Sequence, residues 1–137
     1  MNPVQQNLQL AFIQELLSRY DQAGPGRLLS VANIDAWTKI VGSTRRHAYD
    51  VMGRHLAIGF HEDRFSFGFC DAVANAVIGF VYDDFLALGE DSWPALFYQV
   101  YLAFDAGEVG PPGVDPISVY TRPMIARIVS DLPSNTG

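Results

Sequence analysis

Residues 69 to 88 (FCDAVANAVIGFVYDDFLAL) are apolar on nearly every side of a helical wheel, with Phe69, Val73, Val77, Phe80, Val81 and Phe85 joined by Ile78 and Leu88. A helix of this kind has no broad solvent face, so other elements must surround it. A membrane span is not the alternative, because no segment reaches the roughly 18 charge-free apolar residues a span requires. The longest apolar stretch, Ala72 to Tyr82, is shorter and holds Asn75 and Gly79. The rest of the chain therefore has to supply amphipathic partners.

Their patterns are mostly helical. Val4, Leu8, Ala11, Phe12, Leu16 and Tyr20 form one stripe, ended by the AGPG turn at 23 to 26. Residues 30 to 41 read equally as a helix or a short extended run, with Ser30 or Asn33 as caps. Ser43 is placed to cap a helix through about Leu56 that turns Ala48, Val51, Met52 and Leu56 inward. Arg46, Asp50 and Arg54 then fall on its solvated face, and Gly59 closes it. Residues 60 to 68 read as a loop or a short strand.

Ser92, Trp93 and Pro94 signal another helix start, followed at one-face spacing by Leu96, Phe97, Val100, Tyr101 and Phe104 as far as Gly107. Two glycines and three prolines make 109 to 118 a loop. Thr121 and Pro123 then begin a last helix carrying Ile125, Ile128, Val129 and Leu132. The expectation is one all-α domain over 1–137, a compact bundle of about five or six helices around 69–88, with a frayed tail at 133–137.

Charge is distributed unevenly. Residues 1 to 64 carry seven Arg/Lys against six Asp/Glu, whereas residues 65 to 137 carry two against nine. From Phe65 to Thr121 there is no basic residue at all. The net charge of −6 and pI near 4.8 disfavour nucleic acid and anionic membranes, both polyanions, as partners. The N-terminus lacks the basic and apolar regions of a secretory signal, and the single Cys70 can form no internal disulfide. A cytoplasmic protein is expected.

Catalytic chemistry finds little support. His55, His61, Glu62, Asp63, Cys70 and Asp71 are acceptable metal donors, yet no H-E-x-x-H, C-x-x-C or paired Glu-x-x-His spacing joins them. The carboxylate of Asp71 beside Cys70 raises a thiol's pKa, which favours a small buried cysteine over a nucleophile. No glycine-rich phosphate loop is present, and no metal or cofactor is expected. Asp71 and Asn75 lie four apart in the apolar helix, with Gly79 continuing their face. They read either as a general base with an orienting amide or as a buried polar network in which Asp71 meets an arginine of the first half.

Asp83, Asp84, Glu90 and Asp91 crowd the end of one helix, and Asp105 and Glu108 the end of the next. Acids at helix C-termini oppose the macrodipole. The two readings are an ordinary solvated surface and a docking surface for a basic partner.

The runs FCDAVANAVIG (69 to 79), LFYQVYLAFDAGEV (96 to 109) and DPISVYTRPMIARIV (115 to 129) resemble small immunity proteins of bacterial toxin–immunity systems, the polymorphic-toxin and contact-dependent-inhibition kind. The resemblance covers about sixty residues of the second half. It implies a non-enzymatic protein that binds and neutralises one cognate toxin, often an enzyme acting in the cytoplasm, by offering acids to a basic active site. By charge density Asp83, Asp84, Glu90, Asp91, Asp105 and Glu108 are the candidates here. The alternatives are a small-molecule-binding or enzymatic bundle built on Asp71 and Asn75, with His55 or His61, and a structural module that forms homo-oligomers.

Overall fold

Several helix starts in this chain are set by a side chain, Ser30, Thr44 or Ser66, that accepts an unpaired N–H of the first turn. The computed structural model describes residues 3–133. Among them it forms six α-helices and no strand: α1 (Pro3–Ala23), α2 (Val31–Val41), α3 (Arg45–His61), α4 (Phe67–Leu88), α5 (Ala95–Asp105) and α6 (Arg122–Asp131). A short 3-10 turn, Glu90–Ser92, leads into α5, and a wide π-helical turn, Ile117–Thr121, runs into α6. The tail expected at 133–137 lies, apart from Pro133, outside the described residues.

Ser30 resolves the ambiguous segment. Its hydroxyl accepts the Asn33 N–H at 3.2 Å while the Asn33 side chain accepts the Ser30 N–H at 3.0 Å, a reciprocal cap that makes 31–41 helical. Thr44, and not Ser43, caps α3 by accepting the His47 N–H. Gly59 does not close α3, which continues to His61; its carbonyl accepts the N–H groups of Arg64 and Phe65 and turns the chain back. Residues 62 to 66 are accordingly a turn. The loop expected over 109–118 ends early, because Asp115 accepts the Ile117 N–H and the Ser118 hydroxyl and restarts the helical path. Thr121 is fully buried there and donates to the Ala103 carbonyl at 2.7 Å, fastening α6 to α5.

Helix α3 packs against α2, α4, α5 and α6. Beside it α4 is buried through Phe69, Cys70, Val73, Ala74, Val77 and Val81, as its apolar pattern demands. Burial then runs out: Phe85 is 37% exposed, Leu88 69% and Leu86 83%. The C-terminal end of α4 emerges from the bundle, although Phe85 and Leu88 continue the apolar sequence of its buried part. No helix among the described residues is long and apolar enough to cross a membrane.

The amino-terminal helices are pinned by a polar–aromatic cluster. Trp37 donates its indole N–H to the Ala48 carbonyl at 2.7 Å, and the rings of Phe12 and His55 lie 5.0 and 6.0 Å from it. His55 Nε2 meets Oε1 of the buried Gln9 at 2.8 Å. Burial, then the nearby Arg54 and Arg64, push His55 down to about 4, so the ring is neutral at physiological pH.

The closest packing joins α3 to α5. A Cβ on Gly53 would stand 3.0 Å from the Phe97 Cα, so only glycine allows this approach without a shift. Helix α5 begins after Pro94 with no capping side chain of its own. Asp50, expected on a solvated face with Arg46 and Arg54, turns instead to α5, where its Oδ1 accepts the Phe97 N–H at 2.9 Å. Burial pushes this carboxyl above its usual range, against the opposing pull of that N–H.

Three substitutions separate these contributions in urea denaturation. Gly53→Ala should destabilise by about 1–3 kcal/mol despite its better helix propensity, because a methyl must displace the Phe97 backbone. Gly79→Ala, where a Cβ meets nothing within 4 Å, should stabilise by about 0.5–1 kcal/mol. Asp50→Ala should cost about 1–2 kcal/mol through the lost cap.

Candidate functional site

Where α4 leaves the bundle, its exposed aromatic residues meet those of the following turn and of α5. Tyr82 and Phe85 stand three apart, hence on one face. Trp93 packs against both, with ring centroids at 5.9 and 5.5 Å. Tyr98 lies 4.9 Å from Trp93, and Tyr101 stacks on Tyr98 at 6.1 Å with the planes 20° apart. The ladder Phe85, Trp93, Tyr98, Tyr101 thus follows the α4–α5 edge, with Tyr82 on its flank, 44% exposed. Leu86 and Leu88 extend the same end of α4 into solvent. A row of half-exposed aromatic rings of this kind has the composition of an interface core.

The six acids singled out by charge density do not form one surface. Glu90 lines an open cleft of ≈ 470 Å³ together with Tyr82, Phe85 and Trp93. Asp105 and Glu108 sit at the other end of the ladder, where burial first, then Asp105, Tyr82 and Glu108, raise the Tyr101 hydroxyl above its usual range. These three acids flank the aromatic residues.

The others face elsewhere. Asp84, 16% exposed, is engaged inside the fold: its Oδ2 accepts from Arg45 Nε at 2.9 Å and from the Tyr49 hydroxyl at 2.8 Å. Arg45 also reaches Asp35 at 3.0 Å, so one guanidinium ties α2, α3 and α4. Asp91 is exposed beside Arg46, which donates to the Asp91 carbonyl at 3.3 Å. Asp83 opens on another face of α4, into a groove of ≈ 730 Å³ bounded opposite by Tyr20 and the 25–29 segment.

That groove also receives Asp71 and Asn75. The arginine partner expected for Asp71 is not there: among the described residues Asp71 forms no ion pair, although Arg27 lines the same groove. Asn75 Nδ2 donates to Glu108 Oε2 at 2.9 Å, and Asp71 lies against the same Glu108. The Asp71 Oδ1 is shut off from solvent and meets no donor. Burial first, then Glu108 and Asp105, raise Asp71 to about 7, while its hydrogen bond lowers Glu108. The opposite shifts favour the proton on Asp71, and a neutral Asp71 donates to Glu108 where two carboxylates would repel.

The metal donors are dispersed. His55 pairs with Gln9, His61 is exposed, Glu62 pairs with Arg64 at 2.9 Å, and Asp63 faces Arg122 at 3.6 Å. Among the described residues no three His, Cys, Asp or Glu side chains gather as a metal site would need. Cys70 is buried with its thiol 3.7 Å from the Leu56 carbonyl, and burial, then Asp71, push it well above the usual thiol range. That environment leaves no thiolate for catalysis.

Comparison with protein-family models, with curated proteins and with solved structures finds no match. Function must therefore be argued from the chain's own surface. The aromatic ladder escapes a sequence reading that assigns Phe85 to a buried helix; Tyr101, read as part of a core stripe, does pack half-buried against the core while its ring stacks on Tyr98. A signal for it exists in the pair Asp83 and Asp84, since two adjacent carboxylates in an apolar helix each need a cation or solvent; Asp84 finds Arg45 and Asp83 finds solvent.

The raised Asp71 carboxyl makes a pH prediction. A carboxyl whose folded pKa is raised from 3.8 to about 7 contributes stability that is full below about pH 4 and is lost as the pH rises through 7. Asp71→Asn removes this titration. Its stability relative to the parent, from urea midpoints at each pH, should be unchanged near pH 4 and higher by about 1–2 kcal/mol at pH 8, allowing for solvent screening. The opposing titration of His55 is common to both proteins and cancels in the difference.

Proposed function

We propose that this chain is an immunity-type inhibitor, a non-enzymatic protein of the bacterial cytoplasm that docks one basic protein toxin on the α4–α5 edge. The observation that carries the reading is the aromatic ladder, exposed at Tyr82 and Phe85 and half-buried at Trp93, Tyr98 and Tyr101, flanked by Glu90, Asp105 and Glu108 within a stretch of sequence that holds no Lys or Arg. Aromatic anchors supply affinity when water is excluded from them, and the surrounding acids steer a basic partner into register and reject acidic ones. Asp83 and Asp91 lie outside this edge and contribute through the long-range field. Asp84 holds the fold.

A second reading, a small-molecule-binding bundle, is favoured by one observation: Asp71 and Asn75 line an open groove and not a closed core. Asn75 is nonetheless directed at Glu108. An amide so engaged is not placed to orient a substrate.

The test is binding to the protein encoded beside this chain in its genome, measured by stopped-flow association and by protection of cells expressing that protein. Glu90→Lys combined with Asp105→Lys should slow association by about tenfold at low ionic strength, with the difference shrinking as salt is added. Asp84→Asn should lower folding stability and leave the association rate of the folded fraction unchanged. An unchanged association rate for the double charge reversal removes this edge from the interface.

A further inference from the structure

The cleft at the corner of α4 and α5 has an unusual wall composition: three aromatic rings and one carboxylate, from Tyr82, Phe85, Trp93 and Glu90. Trp93 stands between the other two rings. Its plane is tilted 36° from Tyr82 and 75° from Phe85, so the rings present walls to a shared space and do not stack flat and close it. Glu90 opens the 3-10 turn after α4 and has no ion-pair partner among the described residues. The basic side chains of Arg45 and Arg46 line a separate cleft with Asp84 and Asp91.

We propose that this cleft is a cation box that receives the guanidinium of an arginine side chain presented by the docked partner. The proposal rests on the docking reading above and names the chemistry recognised at one point of that edge. Ring faces carry the negative part of the aromatic quadrupole and attract a cation held against them. The Glu90 carboxylate adds a charge-assisted hydrogen-bond acceptor at the rim, which a planar guanidinium meets with two N–H groups while stacking on a ring. The apolar walls cover the side chain's methylene stem.

The same features argue against other occupants. An ammonium is a more strongly hydrated point charge and gains less from an open, ring-walled site. A neutral apolar side chain would desolvate Glu90 without pairing it. A second copy of this chain, meeting it across a two-fold axis, would bring a second Glu90 and the same flanking acids to the same corner, like charge against like.

The full chain, titrated with a blocked Gly-Arg-Gly peptide and followed by the NMR shift of the Trp93 indole N–H, tests this directly. The Trp37 indole N–H, buried and bonded to Ala48, serves as an internal reference that should not move. The arginine peptide should shift Trp93 saturably with a dissociation constant in the millimolar range. The citrulline counterpart, nearly the same shape without the charge, should bind at least about tenfold more weakly, and Glu90→Gln should weaken arginine binding roughly fivefold.

Equal shifts from the citrulline and arginine peptides, or no movement of Trp93 with either, overturn the box. A Trp93 shift that follows protein concentration without peptide overturns it too, in favour of self-association. The two proposals fail separately. Peptide binding without capture of the neighbouring gene's product sinks the docking reading alone. Capture of that product by the parent chain, with no arginine-peptide binding by the parent chain, sinks the box alone.

Discussion

The contact between α3 and α5 is the constraint on which the rest of this structure depends. At Gly53 the two backbones approach until a methyl would collide with Phe97, and one turn earlier Asp50 supplies the cap that α5 lacks. Close packing and capping therefore act at one place, and each sets the geometry of the other. The cap fixes where α5 begins, and the glycine fixes its distance from α3. Trp93, Tyr98 and Tyr101 are held along the α4–α5 edge as a consequence, because Pro94 and the turn before it lead directly from that fixed start.

The charged groups of the fold divide by what they face. Arg45 draws Asp84 and Asp35 together with the Tyr49 hydroxyl, an arrangement in which a half-buried carboxylate is satisfied by a guanidinium and an O–H. Asp71 has no such cation: burial first, then the neighbouring Glu108, raises its pKa and favours its neutral form, while its Oδ1 is left without a donor. Glu90 and Asp105 have neither and remain on the surface beside aromatic rings. Two solutions to one problem appear in a stretch of sequence that supplies no base of its own. The unsolved remainder forms the proposed docking edge.

Much of the fold was legible in the sequence. The stripe at Leu96 to Phe104 and the apolar segment from Phe69 as far as Val81 are local patterns with a 3.6-residue period, and burial follows them. The stripe at Val4 to Tyr20 marks a helix but not its buried face: Val4, Leu8 and Ala11 are exposed, and α1 buries Gln9 and Ile13 alongside Leu16. Even the ambiguous segment 30–41 carried its answer in Ser30 and Asn33, whose side chains lie close enough in sequence to cap one another. Helix ends were less legible: Gly59 reads as a terminator, yet the turn after His61 needs its carbonyl rather than its flexibility.

The sequence by itself determined an all-helical chain with an acid-rich, base-free second half, because periodicity and charge are properties of neighbours along the backbone. It could not decide which acids face which groups, since that depends on pairs 33 to 47 residues apart, such as Asn75 with Glu108, Arg45 with Asp84 and Asp50 with Phe97. Only the tertiary structure took Asp84 into the fold, left Asp71 without an arginine and brought Tyr82, Phe85 and Trp93 around Glu90. The physical reason is that an apolar pattern specifies that a face avoids water. Where the neighbouring elements end and leave part of that face uncovered is decided by packing.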